Sequence, residues 1–432
     1  MTISQATPDV RWYHLALRSA QWAGAVSWHA AAGLVEWTGE RLPGRRRDGG
    51  RDGAVVARRV GRLLTALGPT FVKGGQLLST RKDVLPPSWC DRLGRLHDHV
   101  RPMTGAQAAD ALARAYPDRW PFTRFDRTPC AGGSIACVYR AELEDGREVA
   151  VKLRRPGIAR RMHADFALLS LGAGVLERLP WLREVPARRM VDQVGFAVRR
   201  QLDLVQEADA LAALRRNLDG NRYFVIPRPI PEASGDGALV MEFIEGLTRF
   251  GPHDFTKEER REIVRRVLHG VYRMLFVDGQ VHCDMHPGNL YLTRAGDVVL
   301  LDAGFVVRLG PDVRQLFAEF FLAMALGRAE ECAEVVLRSA EHVPPGSDVE
   351  GFRRAVVDLV ATAHGQTAGR FRLAPFATRL FDAQRRSGIS AAPEFVFPLV
   401  SLLVLEGMID EFDVDVDFQA EAIPTLLTVL RG

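Results

Sequence analysis

Lysine is scarce in this chain, as are paired cysteines and long uncharged stretches, and each shortage excludes a class of protein. Of 57 basic residues only Lys73, Lys82, Lys152 and Lys257 are lysines. The rest are arginines, so a retained lysine marks a place that wants a compact point charge rather than a planar guanidinium. The 57 basic and 53 acidic residues leave a formal charge of +4, too even a balance for a nucleic-acid binder, so no nucleic-acid partner is expected. The five cysteines, Cys90, Cys130, Cys137, Cys283 and Cys332, form no CxxC pair. That argues against a disulfide framework or structural zinc and points to a reducing compartment. No charged stub followed by an unbroken apolar core opens the chain, so a secretory signal is not expected and a cytoplasmic protein is. No internal repeat stands out, which excludes a solenoid.

The chain has 432 residues, 47% of them hydrophobic, enough for two lobes with cores of their own. Residues 11–39 carry Trp12, Tyr13, Leu17, Trp22, Val26, Trp28 and Trp37, broken by Arg18, Gln21, His29 and Glu36. This is too polar for a membrane span but suits a helix lying in a membrane interface. A helix packed on the domain accounts for the same pattern. Residues 43–53, PGRRRDGGRDG, read as a solvated linker. A helical pattern from Val55 to Leu67 then stops at Gly68-Pro69, and another helix starts near Thr70.

From residue 124 the period changes. CVYRAELE, a turn at Asp145-Gly146 and REVAVKLRR give a β-hairpin signal. Helical stretches at 158–180 and 187–217 precede strand candidates YFVIP and ALVMEFIEG. From 256 onward the pattern is mainly helical, apart from a loop at 282–307. The expected divisions are an N-terminal segment and linker (1–54), a helical extension (55–123), a small mixed lobe (124–245) and a helical lobe (246–432).

The strongest chemical signal is VHCDMHPGNLYL followed by DVVLLDAGF, with Asp284 and Asn289 five apart and Asp302 eighteen beyond Asp284. Protein kinases use this spacing: the first Asp orients or deprotonates the acceptor hydroxyl, while the Asn and second Asp bring oxygen ligands to Mg²⁺ on the ATP phosphates. His282, Asp284 and His286 also alternate as transition-metal ligands would on a strand, but Pro287-Gly288 argues for a loop. Upstream, Lys152 ends Val-Ala-Val-Lys on the second hairpin strand, where alternation turns it away from Val149 and Val151. In kinases such a lysine binds the α and β phosphates and is held by a helical glutamate, here Glu207. Ala131, Gly132, Gly133 and Ser134 form a small-residue turn whose backbone N–H groups suit phosphate. The segment from Val240 to Gly246 joins the lobes, with backbone groups at Glu242 and Phe243 available to adenine.

Together these elements resemble the UbiB/AarF family of atypical kinases. The resemblance rests first on GPTFVKGGQLLSTRKDVLPP at 68–87, which ordinary kinases lack, and extends over residues 55–430. CAGGSIACVYRA, VAVKLRRPGI, QEAD, HCDMHPGN, LLDAG and the tail PLVSLLVLEGMIDEFDVDVDF follow in the family's order. The resemblance implies an α+β, bilobal kinase-like fold with a small mixed N-lobe, a mainly helical C-lobe and an N-terminal KxGQ extension. ATP and Mg²⁺ are the implied ligands, with the metal on Asn289 and Asp302. Lys73 and Gln76 of the KxGQ helix are the implied regulatory residues, on a helix that folds over the ATP cleft where a protein substrate would bind. That favours ATPase or small-molecule chemistry, tied in this family to isoprenoid-quinone metabolism, with a lipid-like substrate and biosynthetic enzymes as partners. Separately from the resemblance, the tryptophans of 11–39 beside the arginine-rich stretch make the inner face of a membrane a candidate peripheral surface for this cytoplasmic protein. Departures from the family pattern are Gly132-Gly133 in the alanine-rich turn, Gln201-Leu202-Asp203 where the family has Glu-x-Asp, Ala136-Cys137 for Gly-Gln, and Ala303 for Phe. A nucleotide-gated scaffold with negligible turnover and a phosphotransferase for soluble metabolites are the rival readings.

Overall fold

The computed structural model describes residues 11–39, 60–79, 102–178, 187–220, 223–249, 255–285, 289–364 and 372–431. The linker expected at 43–53 lies outside them, as does His286. The chain divides into two compact units, Met1–Gln206 with Ile230–Glu242, and Glu207–Pro229 with Phe243–Gly432.

In the first unit, helices α1 (Trp12–Gly39), α2 (Pro69–Ser79) and α3 (Gly105–Ala115) precede the sheet. The strands are β1 (Phe122–Phe125), β2 (Ala131–Gly132), β3 (Ala136–Leu143), β4 (Glu148–Arg154) and, after a β5 (Phe224–Val225) that belongs to the second unit, β6 (Ala238–Glu242). The sheet order is β1-β3-β4-β6, with β2 on β3. The expected hairpin is β3–β4, turning at Asp145-Gly146, where Gly146 takes the positive φ of 81° that a side chain resists. Alternation on β4 buries Val149, Val151 and Leu153 with Tyr139 and Val240, each such side chain contributing about 1.5–3 kcal/mol. Helix α4 (Ile158–Leu176) and helix α5 (Ala187–Arg200) pack through Met162, Phe166, Val194 and Val198.

The helix expected at 187–217 is two helices, α5 and α6 (Leu204–Asn217), broken at Gln201–Asp203. Asp203 stops the first and starts the second. Its Oδ1 accepts from the backbone N–H of Val205 (3.1 Å) and Gln206 (3.0 Å), which is helix N-capping and more local than any helical periodicity.

Helix α1 is docked on this unit by a buried carboxylate. Asp165 of α4 accepts from Arg18 Nε (2.5 Å) and Nη2 (3.0 Å), Trp22 Nε1 (3.1 Å) and Thr70 Oγ1 (2.5 Å). Arg18 also donates to the Leu67 carbonyl, just before α2. The packed-helix reading therefore describes one face of α1. Away from that face Leu17 is 62% and Trp28 71% exposed. Among the described residues no helix is long and apolar enough to cross a membrane.

The second unit is mainly helical: α7 (Lys257–Tyr272), α8 (Pro311–Ala325), α9 (Ala329–Arg338), α10 (Val349–His364), α11 (Leu373–Arg386), α12 (Pro393–Glu411) and α13 (Phe418–Arg431). Between α7 and α8, where a loop is expected apart from an apolar strand VVLL ahead of Asp302, lie the three-residue strands β8 (Gln280–His282), β9 (Leu290–Leu292), β10 (Val298–Leu300) and β11 (Val306–Arg308). With β7 (Thr248–Arg249) they give a sheet ordered β5-β10-β9-β7 and a separate β11-β8 pair. Helix α13 is clipped to α7, because Glu421 accepts from Arg265 Nε at 2.7 Å and lies 2.6 Å from His269 Nε2.

Candidate functional site

The candidate residues fall in both units, and each set is built differently. In the first unit Lys152 sits on β4 between Val138 of β3 and Leu239 of β6, so the backbone ladder holds its Cα on both sides. Val149 and Val151 enter the core and Lys152 stays half-buried outside it, as the alternation requires. The Ala131–Ser134 turn is closed by Gly133 N–H donating to the Ala136 carbonyl at 2.8 Å. Arg155 Nε anchors it by donating to the Gly133 carbonyl at 2.9 Å, and Ser134 is buried. Neither glycine of the turn has a positive φ. A Cβ on Gly133 would meet the Ala136 oxygen at 3.4 Å, and one on Gly132 nothing nearer than 3.8 Å. The backbone thus admits the family's alanines there. Cys130, just ahead of the turn, is exposed, yet partial desolvation raises its thiol pKa, the opposite of what activates a cysteine nucleophile.

Lys73 is half-buried on α2 beside buried Gly74 and Gly75, and Gln76 is on the same helix. Gln201 is buried in the turn before α6, while Asp203 serves as the cap of that helix. Glu242 closes β6, and Phe243 is the first residue after it.

In the second unit the carboxylates are held by side-chain hydrogen bonds. Asn289 Nδ2 donates to the Asp284 carbonyl (2.9 Å) and to Asp284 Oδ2 (3.3 Å). Asp302 Oδ1 accepts from Gly304 N–H at 2.9 Å, bending the chain into a tight turn. Glu207, in the first turn of α6 and buried, accepts from Ala303 N–H at 3.4 Å. That bond ties the helix to the turn carrying Asp302.

His282 joins these loops. Its Nδ1 accepts from Asp284 N–H (3.2 Å) and its Nε2 lies 2.7 Å from the Asp302 carbonyl. An acceptor Nδ1 puts the proton on Nε2, which donates to Asp302. The ring is fully buried. Alternation of His282 with Asp284 and His286 reads in sequence as metal ligation, but both ring nitrogens of His282 are engaged. Among the described residues no cluster of three His, Cys, Asp or Glu is placed to hold a metal. What sequence reasoning missed is the bracing role, whose one signal is a histidine two residues ahead of the Asp. Asn289 and Asp302 offer an amide and a carboxylate oxygen, the hard donor set that suits Mg²⁺.

The chain is similar to known proteins. Residues 95–336 match the ABC1 atypical kinase-like domain. The Synechocystis protein slr0889, uncharacterized, is 33% identical over 65% of this chain and 72% of its own length. The probable protein kinase UbiB of Sodalis glossinidius is 30% identical over 86% of this chain and 70% of its own length. UbiB of Marinobacter nauticus is 31% identical over 85% and 69%. Among solved structures, Rv3197 of Mycobacterium tuberculosis, in complex with erythromycin, superposes with a TM-score of 0.56 at 20% identity, covering 86% of this chain and 96% of its own. With the family domain over more than half its length, UbiB relatives over most of it and a kinase-like fold, this chain belongs to the UbiB/ABC1 family of atypical kinases.

Proposed function

We propose that this chain binds Mg-ATP and passes the terminal phosphoryl group to water or to a small-molecule hydroxyl, in support of isoprenoid-quinone or related lipid metabolism. The observation that carries the reading is the single hydrogen-bonded set formed by Asp284, Asn289, His282 and Asp302. Lys152 and the N–H groups of Ala131–Ser134 bind phosphate, Lys152 being held by Glu207, while backbone groups at Glu242 and Phe243 take the adenine. Asp284, its carboxylate oriented by Asn289, accepts the proton of the attacking O–H. The new O–P bond forms as the P–O bond to the β phosphate breaks, and ADP leaves. Asn289 and Asp302 hold the magnesium, which supplies neutralisation of the phosphate charge.

Lys73 and Gln76 on α2 act as regulators, with Gln201 and Asp203 modifying them. The substrate is lipid-like or polyketide-like. The outward face of α1, with Tyr13, Leu17 and Trp28 exposed and no charged residue among them, lies on the membrane surface. A nucleotide-gated scaffold remains the second reading, favoured by Gln201 and Ala303.

Mg²⁺-dependent ADP release by wild type and by Asp284→Asn, each with detergent micelles or quinone-like phenols, separates the two. We expect the variant to lose about 10²- to 10⁴-fold in rate. Equal rates would remove the enzyme reading.

A further inference from the structure

The β8–β11 pair turns the His282 carbonyl away from its partner strand. Cys283 N–H donates to the Phe305 carbonyl (2.9 Å) and Leu309 N–H to the Gly279 carbonyl (2.7 Å). With His282 opposite Val306, those bonds make His282 and Val306 a non-hydrogen-bonded pair. In an antiparallel ladder the N–H and C=O of such a residue point outward. Among the described residues β8 has no strand on its other side. The His282 carbonyl therefore faces an open strand edge at a fully buried residue, where an unmet acceptor is costly.

Ser401 meets it. This serine is fully buried on α12, and its Oγ donates to the His282 carbonyl at 2.8 Å. A helical serine ordinarily turns its hydroxyl back onto the carbonyl four residues earlier, here that of Phe397. Ser401 instead bonds to a strand 119 residues away in sequence. The same His282 holds Asp284 through Nδ1 and Asp302 through Nε2. One hydroxyl from the C-terminal region thus sets the height of the strand end from which both loops are braced.

We propose that Ser401 is a positioning residue for the reaction: through His282 it sets the relative placement of Asp284 and the turn that carries Asp302. It touches neither nucleotide nor acceptor. The turnover part of this inference rests on the phosphoryl-transfer reading above, whereas the structural part does not.

Threonine and valine have the same shape, and only threonine keeps the hydroxyl, so Ser401→Thr and Ser401→Val share whatever an added methyl costs in packing. In ADP-release assays we expect Ser401→Val to lose about tenfold in kcat, with KM for ATP changed by less than about twofold, and Ser401→Thr to keep most of the wild-type kcat. In hydrogen exchange read by mass spectrometry, residues 299–306 should exchange faster in Ser401→Val than in Ser401→Thr. Exchange over the β3–β4 hairpin should be the same in both.

If wild type releases no ADP, the functional reading fails and the exchange comparison alone decides the role of Ser401. If neither variant folds, Ser401→Ala removes the hydroxyl without adding volume. It should then show faster exchange than wild type at 299–306 only. Equal exchange at 299–306 with and without the hydroxyl, or a loss in kcat shared equally by threonine and valine, overturns the proposal.

Discussion

Asp165 in the first unit and His282 in the second are both fully buried polar side chains, and each ties together segments far apart in sequence. They differ in charge. Asp165 is an anion facing Arg18, whose side chain is itself 9% exposed, with Thr70 and Trp22 completing its shell. His282 is neutral and works as one donor and one acceptor. Removing one partner from a buried ion pair leaves an uncompensated charge, a far greater penalty than a lost neutral hydrogen bond. The charged knot is therefore a device for stability, fastening α1 and α2 to α4. The neutral brace is a device for geometry, aligning two loops at a smaller energetic cost.

Breaking the knot should give the largest effect. Asp165→Asn keeps the shape and strands the Arg18 charge, so the urea midpoint should fall by the equivalent of about 3–5 kcal/mol with the m-value unchanged. A shift as small as that of a neutral hydrogen bond would remove the contrast with His282. A partly exposed ion pair should come next. Burial pushes the Glu421 carboxyl up, but hydrogen bonds from Arg265 and His269 and their charges outweigh it and hold the group below its ordinary value of 4.5.

A depressed folded-state pKa means that the unfolded chain takes up the proton first on acidification. The stabilisation is complete above the ordinary value and lost as pH falls through the lowered one. At pH 7 Glu421→Gln should unfold about 1 kcal/mol more easily than wild type, and denaturation at lower pH should show that gap closing below about pH 4. A gap independent of pH would assign the loss to packing. Gly133→Ala should have the smallest effect on stability, within about 0.5 kcal/mol, because the residue has no positive φ and its Cβ would meet the Ala136 oxygen at 3.4 Å. Nucleotide turnover should nonetheless change; turnover like that of wild type would show that this departure from the family turn carries no function.

Much of the fold was legible in the sequence wherever periodicity or turn chemistry acts locally. The β3–β4 hairpin, the break at Gly68-Pro69 and the outward position of Lys152 all follow from residues within one or two turns of each other. The break at Gln201–Asp203 was missed because a single Asp capping α6 outweighs the surrounding helical pattern. The apolar run VVLL ahead of Asp302 reads as a strand and is β10, but β8, β9 and β11 fall where a loop is expected, because three residues are too few to show an alternation. The spacing of Asp284, Asn289 and Asp302 identified the candidate carboxylates, but nothing in it showed that His282 braces them.

By itself the sequence determined the family, the order of elements and the residues that carry charge, since those depend on residue type and local spacing. Only the tertiary structure decided which buried groups meet: Arg18 with Asp165, Glu207 with the Ala303 amide, Ser401 with the His282 carbonyl. The reason is physical. A buried polar atom must find a partner wherever the fold brings one within about 3 Å, and across 96 to 147 residues that partner leaves no periodic trace in the chain.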